Sequence, residues 1–380
     1  MKKIYWYIQQ LDRIGGTEMV TLQIIDMLKD AYEIHIIPFA PVNPSKFTYN
    51  IPDNVIIENI NYPGEISQFD INFKKHYQNH NYFKALGLFF KTIHTYTFGR
   101  KKYIKKIRSL TTKNDIIICS CIELMAFALK DRFVIQHFHF NSKIYRNLIS
   151  TFFRITARKP DLYLFISEAT EKAVNKKGKL KTATILNPCR FSQQKNFVYN
   201  NNTLISACRF ETQKDPMLML KIAKELDNRN FKYTYNIYGD GSYLNQMNNY
   251  IKKYKLKNLH IVKGEKDLQK FYSQSDLHIL TSRFEGLPLT AIEANTLSIP
   301  TIWMEMGDPT SSFMIEGKNG YVIRERDPKV FADKITDLLS NKDKLLELKK
   351  STYESSKRFV PNNIKVQWIE LLDNCFDDLK

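Results

Sequence analysis

The chain has 380 residues, 43% of them hydrophobic and 25% charged, with a formal net charge of +18. That length favours two domains over one, and that balance of apolar and charged residues excludes a chain disordered throughout. No run approaches the roughly 18 uninterrupted apolar residues of a spanning helix, and MKKIYWYIQQ holds too few apolar residues for a secretory leader, so the expectation is a cytoplasmic protein.

The charge is unevenly spread. Residues 1–200 hold 30 Lys and Arg against 15 Asp and Glu, a balance of +15; residues 201–380 hold 27 against 24, a balance of +3. An anionic partner for the first half follows: nucleic acid, an anionic membrane leaflet or an acidic polymer.

In chain order, KIYWYIQQL reads as a strand, DRIGGTEM as a turn, VTLQIIDMLKD as a helix and EIHIIPFA as a strand. A βαβ unit of this kind signals a parallel, doubly wound sheet. DIIICSC, RFVIQHFHF and DLYLFIS are short apolar runs fit for buried strands. EATEKAVNKKG is helical, and KTATILNP follows it. The polar stretch FVYNNN, Phe197 to Asn202, is read as a linker. Beyond it the alternation restarts: strand TLISACRF, helix PMLMLKIAKELDNR, strand KYTYNIYGDG, helix YLNQMNNYIKKYK, strand LHIVKG, helix KDLQKFYSQ and strand LHILTS. Two α/β halves enclosing one cleft are expected, with ligands beyond the carboxyl ends of the strands. After Pro361 the tail reads as a helix with Val366, Ile369, Leu372 and Phe376 on one side.

Cys119, Cys121, Cys189, Cys208 and Cys375 form neither a CxxC pair nor a disulfide framework, and read as small buried hydrophobes.

SRFEGLPLTAIEANTLSIPTI, Ser282 to Ile302, places Glu285 in a turn and Glu293 inside a helix. Pro288 suits the first helical position, because it has no N–H to leave unpaired. The helix should end before Pro300. The amides of Gly286, Leu287 and Leu289 can receive anionic oxygens at such a helix start, and Gly286 allows close approach to the backbone. Glu293 lies five residues beyond Pro288, hence roughly 7.5 Å along the axis. Glu285 would address a sugar and Glu293 a ribose diol, with a diphosphate between them. A solvated Glu before the helix and another on its outer face satisfy the same spacing.

This stretch resembles the glutamate-x7-glutamate motif of the retaining glycosyltransferases of family 4, and the likeness covers nearly the whole chain. GGTEMVTLQIIDML is similar to the family's glycine loop and first helix. SACRFETQKDP resembles its arginine-and-lysine segment, YNIYGDGS its Gly-Asp-Gly strand, and IVKGEKDLQKFYSQSDLHILTSRFEGLPLTAIEAN its donor-site core. The resemblance implies the GT-B fold: two Rossmann-like, doubly wound α/β domains facing across a cleft. Residues 1–198 would bind the acceptor, with the helix of about 361–380 packing back on them, and residues 199–360 would bind the nucleotide sugar. Arg209 and Lys214 would hold the diphosphate and stabilise charge on the leaving nucleotide. Gly15 and Gly16 would touch donor phosphates or acceptor. His137, with His139 as its substitute, would contact sugar or acceptor. Gly264 and Glu265 would lie beside the nucleotide base or ribose. Pro288 and Leu289 would belong to the donor site with Gly286, Leu287 and Glu293, and Glu285 would position the sugar. Two departures stand out: Cys208 and Ser298 occupy positions where relatives often carry Gly.

The histidines lack a third partner for a metal, and no DxD-type motif is convincingly placed, so neither metal nor cofactor is expected. The donor, a UDP-sugar, is a substrate. FFKTIHTYTFGRKKYIKKIRSLTTK packs eight Lys and Arg among apolar residues. Ile104 and Ile107 set against Lys101, Lys105 and Arg108 suggest a helix with a cationic face, suited to an anionic leaflet. Nucleic acid is not expected, since no RRM, KH or zinc-knuckle signature is found. The reading is a retaining hexosyltransferase acting on a bacterial cell-surface glycan, lipid-linked or teichoic-type acceptor, peripheral on the inner face of the cell membrane. A sugar-nucleotide epimerase of the same fold and a non-enzymatic polyanion-binding protein are the alternatives.

Overall fold

The computed structural model describes residues 1–11, 15–40, 51–62, 69–139, 159–265, 267–307 and 312–379. It divides into two units, Met1–Ile185 with Lys365–Lys380, and Leu186–Ile364.

In the first unit seven strands form one parallel sheet: β1 Lys3–Ile8, β2 Glu33–Pro38, β3 Ile56–Ile57, β4 Ile116–Cys119, β5 Phe133–Phe138, β6 Leu162–Phe165 and β7 Thr182–Thr184, in the order β3-β2-β1-β4-β5-β6-β7. Beyond Lys3, every residue of KIYWYI in β1 is buried. A parallel strand covered on both faces needs such a continuous apolar run. The helices are α1 Gly16–Leu28, α2 Phe69–Gln78, α3 Tyr82–His94, α4 Arg100–Leu110 and α5 Glu168–Val174. In α4 the expected apolar stripe faces inward: Tyr103 and Ile107 are buried and Ile104 packs on the core. Ser167 caps α5 by accepting from the Thr170 amide.

The second unit repeats the plan with six strands, β8 Thr203–Ala207, β9 Thr234–Tyr238, β10 Leu259–Val262, β11 Leu277–Leu280, β12 Thr301–Met304 and β13 Gly320–Ile323, ordered β10-β9-β8-β11-β12-β13 and all parallel. Its helices are α6 Pro216–Asn228, α7 Leu244–Tyr254, α8 Leu268–Ser273, α9 Leu289–Thr296, α10 Pro328–Leu339 and α11 Lys342–Ser356. Phe197–Asn202, expected as a linker, is fastened inside this unit. The Asn200 amide donates to Asp276 at 2.8 Å, and the fully buried Lys349 donates to the Val198 carbonyl and sits 3.2 Å from Asp276.

The last helix, α12 Pro361–Asp377, carries its final residues back into the first unit. Its buried side is Ile364, Trp368, Leu372, Cys375 and Phe376, not the expected stripe through Val366, which is exposed. The difference is one of phase: i, i+4, i+8 spacing from Ile364 defines the inner face, and Trp368 sets it by packing at a tilt on Trp6, centroids 5.5 Å apart, and edge-on against His137 at 5.2 Å.

Among the described residues, no helix is long and apolar enough to cross a membrane.

Candidate active site

In the second sheet, β8 and β11 are neighbours although two strands and their helices intervene in sequence. The winding reverses there, and the loops leaving the carboxyl ends of those strands diverge to form a crevice. One loop, after β8, carries Arg209 and Lys214; the other, after β11, carries Glu285.

The first loop is anchored by Phe210, fully buried, whose amide donates to the Asp240 carbonyl at 2.8 Å. The Gly-Asp-Gly turn presses directly on it: a Cβ on Gly239 would lie 1.9 Å from the Cys208 carbonyl oxygen, and one on Gly241 would lie 2.6 Å from that of Phe210. Only glycine permits this backbone approach. Cys208 therefore does not hold the loop away from the sheet, since its own amide bonds to the Tyr238 carbonyl at 3.0 Å. A single 3-10 turn, Thr212–Lys214, ends at Asp215, whose φ of +47° swings the chain into α6.

Cross-bonds then lock the two loops. The Arg283 amide donates to Gln213 O at 2.8 Å, the Gln213 side chain donates to Phe284 O at 3.0 Å, and the Thr281 hydroxyl donates to Lys214 O at 2.8 Å. Arg326, on the segment after β13, donates to the Asp215 carboxylate at 2.9 Å and to the carbonyls of Thr281 and Ser282 at 2.8 and 3.2 Å.

The product of this scaffold is a tight ionic contact. Lys214 Nζ meets Glu285 Oε1, and the same oxygen accepts from the Ser282 hydroxyl at 2.7 Å. Glu285 is only 8% exposed. A buried carboxylate needs such donors to stay in place. Arg209, on the same loop as Lys214, is exposed and makes one long bond, 3.5 Å, to Gln213.

Helix α9 begins one residue later than the sequence suggested. Pro288, with ψ at 106°, is the capping residue, because extended geometry at that point still lets its carbonyl accept from Ala291 and Ile292. Among the described residues no side chain caps this start, so the N–H groups of the first helical turn, that of Leu289 among them, have no side-chain acceptor. Ser298, where glycine was anticipated, has a φ of +63°. Its hydroxyl offsets the strain by donating to Gln194 O at 2.6 Å and accepting from the Asn196 amide at 3.3 Å.

Glu293 does not face outward. It is 4% exposed, as the whole of Ala291–Thr296 is buried. Its Oε1 accepts from Arg190 Nε at 2.7 Å, while Oε2 has no partner among the described residues. Burial raises its pKa above the ordinary carboxyl value and Arg190 opposes that rise. Arg190 lies flat on Phe191 at 4.7 Å. Sequence reasoning missed it because 103 positions separate it from Glu293, and no local pattern links them. Tyr272 on α8, also missed, is fully buried with an unpartnered hydroxyl, and burial, with Glu293 nearby, pushes that phenol well up.

Gly264, at φ +71°, and Glu265 follow the edge strand β10 at the same end of the sheet. Glu265 is exposed and accepts from the Asp267 amide at 2.9 Å, closing its own turn. Among the described residues no hydrogen bond joins it to the other candidates.

In the first unit, Gly15 and Gly16 form the turn between β1 and α1, Gly15 as the capping residue with Glu18 folded against it. His137 on β5 is 1% exposed, its ring 4.0 Å from that of His139 and wedged between Trp6 and Trp368. Burial lowers both imidazoles, that of His139 to about 3, so both are neutral. His137 Nδ1 and His139 Nε2 have no partner among the described residues. Among the described residues, no three His, Cys, Asp or Glu side chains gather as a metal site.

Residues 189–355 match the family model of glycosyl transferases group 1. The chain is 26% identical over 178 residues to the amylovoran biosynthesis glycosyltransferase AmsD of Erwinia amylovora, covering 47% of this chain and 50% of that relative; it thus spans half that relative's length. It is 23% identical over 380 residues, 98% of each chain, to a Campylobacter jejuni alpha-1,4-N-acetyl-D-galactosaminyltransferase acting on a diNAcBac-PP-undecaprenol-linked glycan. In fold it resembles a Staphylococcus aureus TarM variant solved with fondaparinux, alpha-GlcNAc-glycerol and UDP, with TM-score 0.73 at 16% identity over 98% of this chain and 99% of that one. The fold is accordingly the pair of parallel-sheet Rossmann-like units of GT-B, and the second unit carries a glycosyl transferases group 1 domain.

Proposed function

We propose that this chain is a retaining hexosyltransferase of family 4 type, taking its sugar from a UDP-sugar and placing it on a hydroxyl of a bacterial surface glycan, lipid-linked or teichoic-type acceptor. The observation that carries this reading is the Lys214–Glu285–Ser282 cluster, fixed at the reversal point of the second sheet beside an uncapped helix start. The names of the relatives, which concern surface glycans and an undecaprenol-linked chain, and the UDP held by the structural neighbour support donor and acceptor classes.

Each residue then has a task. Arg209 and Lys214 neutralise the diphosphate, with the amides around Gly286 adding partial positive charge. Glu285 accepts from sugar hydroxyls. Glu293 Oε2, the unpartnered buried acceptor, takes a ribose hydroxyl. In the transfer, the anomeric carbon–phosphate oxygen bond breaks and the anomeric carbon–acceptor oxygen bond forms on the same face. The acceptor's proton passes to the departing phosphate oxygen, and UDP leaves. His137 is assigned to the sugar or acceptor, Gly15 and Gly16 to the donor phosphates or acceptor, and Gly264 and Glu265 to the base or ribose. No resident metal or cofactor is assigned. The acceptor is placed at the inner face of the membrane.

The test is incubation with a panel of UDP- and GDP-sugars, with and without lipid-linked and polyol-phosphate acceptors, reading nucleotide release and the anomeric configuration of product. Acceptor-dependent UDP release with retained configuration is expected. Sugar interconversion without acceptor would mean an epimerase, and an intact donor throughout would overturn the reading.

A further inference from the structure

Among the described residues, seven of the fourteen large hydrophobic side chains left exposed lie between Tyr77 and Phe98. Most belong to α3. This helix has three faces at about 100° per residue. Ala85 and Leu88 are buried, with Thr92 half-buried beside them. Roughly 130° around the helix, a second apolar face is exposed: Phe83 (92%), Leu86, Phe89 and Phe90 (60%). Lys84 and Lys91 form the third, also exposed. One apolar face suffices to seat a helix on its own protein, and Ala85 and Leu88 serve that purpose. Among the described residues the second face is left in solvent, and aromatic residues in water are costly. The apolar surface runs on to the neighbouring helix, where Tyr77 packs edge-on against Tyr82 at 5.5 Å.

Charge selects the occupant. Between Asp70 and Asp115 there is no acidic residue, against 11 Lys and Arg. Lys101, Lys102 and Lys105 project from α4 into solvent, its apolar side being spent on the core. A second copy of the chain would bring cations against cations, which rules against self-association through this face. Aromatic residues beside lysines, with no carboxylate, match the acyl boundary and phosphate layer of an anionic leaflet.

We propose that α3 lies in the interface of an anionic bilayer, with Phe83, Leu86 and Phe90 entering the acyl boundary and Lys84, Lys91 and the outer lysines of α4 held by headgroup phosphates. This deepens the reading of an acceptor held at a membrane. It also relocates the apolar contact from α4, whose Ile107 is buried, to α3.

The native tryptophans Trp6, Trp303 and Trp368 are all fully buried, so a tryptophan introduced by Phe90→Trp reports locally. Its fluorescence should be quenched by brominated lipid in phosphatidylglycerol-containing vesicles and not in pure phosphatidylcholine vesicles. No quenching overturns the proposal. Phe83→Ser/Leu86→Ser/Phe90→Ser should lower vesicle partitioning by about tenfold or more, with unchanged melting temperature and unchanged UDP affinity in solution. Vesicle binding equal to the parent's, or a dimer that this variant dissolves while vesicle binding persists, would also overturn it. Vesicle binding without any UDP binding would leave this inference standing and remove the transferase reading.

Discussion

Arg190 and Glu293 make a lopsided pair: one carboxylate oxygen is held at 2.7 Å and the other is buried with no donor to it among the described residues. Burial favours the neutral carboxyl of Glu293, and the Arg190 guanidinium opposes that by its charge and its hydrogen bond. Arg190→Ala should therefore weaken UDP about tenfold, ~1.4 kcal/mol. It should also move the acid limb of UDP affinity to higher pH, because the already raised Glu293 pKa rises further without its cation. Calorimetric titration of UDP against pH decides this. An unshifted limb would show that Arg190 acts only through packing.

The same raised pKa has a consequence for stability. A folded-state value above the unfolded one means that Glu293 stabilises the fold below the ordinary carboxyl range and loses that contribution as pH rises through the folded value. The melting temperature of Glu293→Gln, relative to the parent, should accordingly climb between about pH 4 and pH 7. A constant difference across that range would contradict this.

Lys214 and Glu285 depend on each other. Lys214→Ala leaves a carboxylate that is only 8% exposed with Ser282 alone, which should cost about 3 kcal/mol in denaturant unfolding. Glu285→Ala and Lys214→Ala should each reduce turnover by at least about a hundredfold. In the paired variant Lys214→Met/Glu285→Gln, stability should recover and turnover should not. Recovery of both would strip the pair of its chemical role.

Arg326 touches no predicted ligand group, yet it ties Asp215 to the carbonyls of Thr281 and Ser282. Arg326→Lys retains the charge but not the planar fork. It should lower kcat by roughly 10- to 100-fold through misplacement of Lys214 and Glu285, with a smaller change in donor KM. Steady-state kinetics at varied donor would show it, and a pure KM effect would count against positioning.

Ser298 sets strain against hydrogen bonding. Glycine would relieve the left-handed backbone by about 1 kcal/mol but would lose the hydroxyl's two bonds, to Gln194 O and from the Asn196 amide, at about 0.5–1.5 kcal/mol each; those two groups keep only their bond to each other at 3.1 Å. The order of thermal stability should be parent, then Ser298→Gly, then Ser298→Ala, which keeps the strain and loses both bonds. A glycine variant more stable than the parent would reverse this balance.

Strand content was legible because parallel strands buried on both faces must be written as apolar runs, as in KIYWYI and DIIICSC. Lys214 and Glu285 could be paired in advance because each follows a strand end, and strand ends in such sheets converge. Arg190 could not, for it lies on a segment without periodicity whose partner is a hundred residues away. Burial was the other blind spot. Nothing in QHFHF says that Trp368 will close over His137, and the phase of the last helix is fixed by a contact with Trp6, not by its own spacing. Asp12 to Ile14 of the DRIGGTEM stretch and Lys266 of the donor-site stretch lie outside the described residues.

Because Lys365–Lys380 belong with Met1–Ile185, the first unit cannot finish folding in the order in which a ribosome delivers it. Its sheet is synthesised early with a socket over Trp6 and His137, and the indole that plugs that socket is translated only after the 179 intervening residues, Leu186–Ile364, have been made. The nascent chain must carry that apolar opening for about half of its synthesis, which exposes this half to association with other apolar surfaces in the interval.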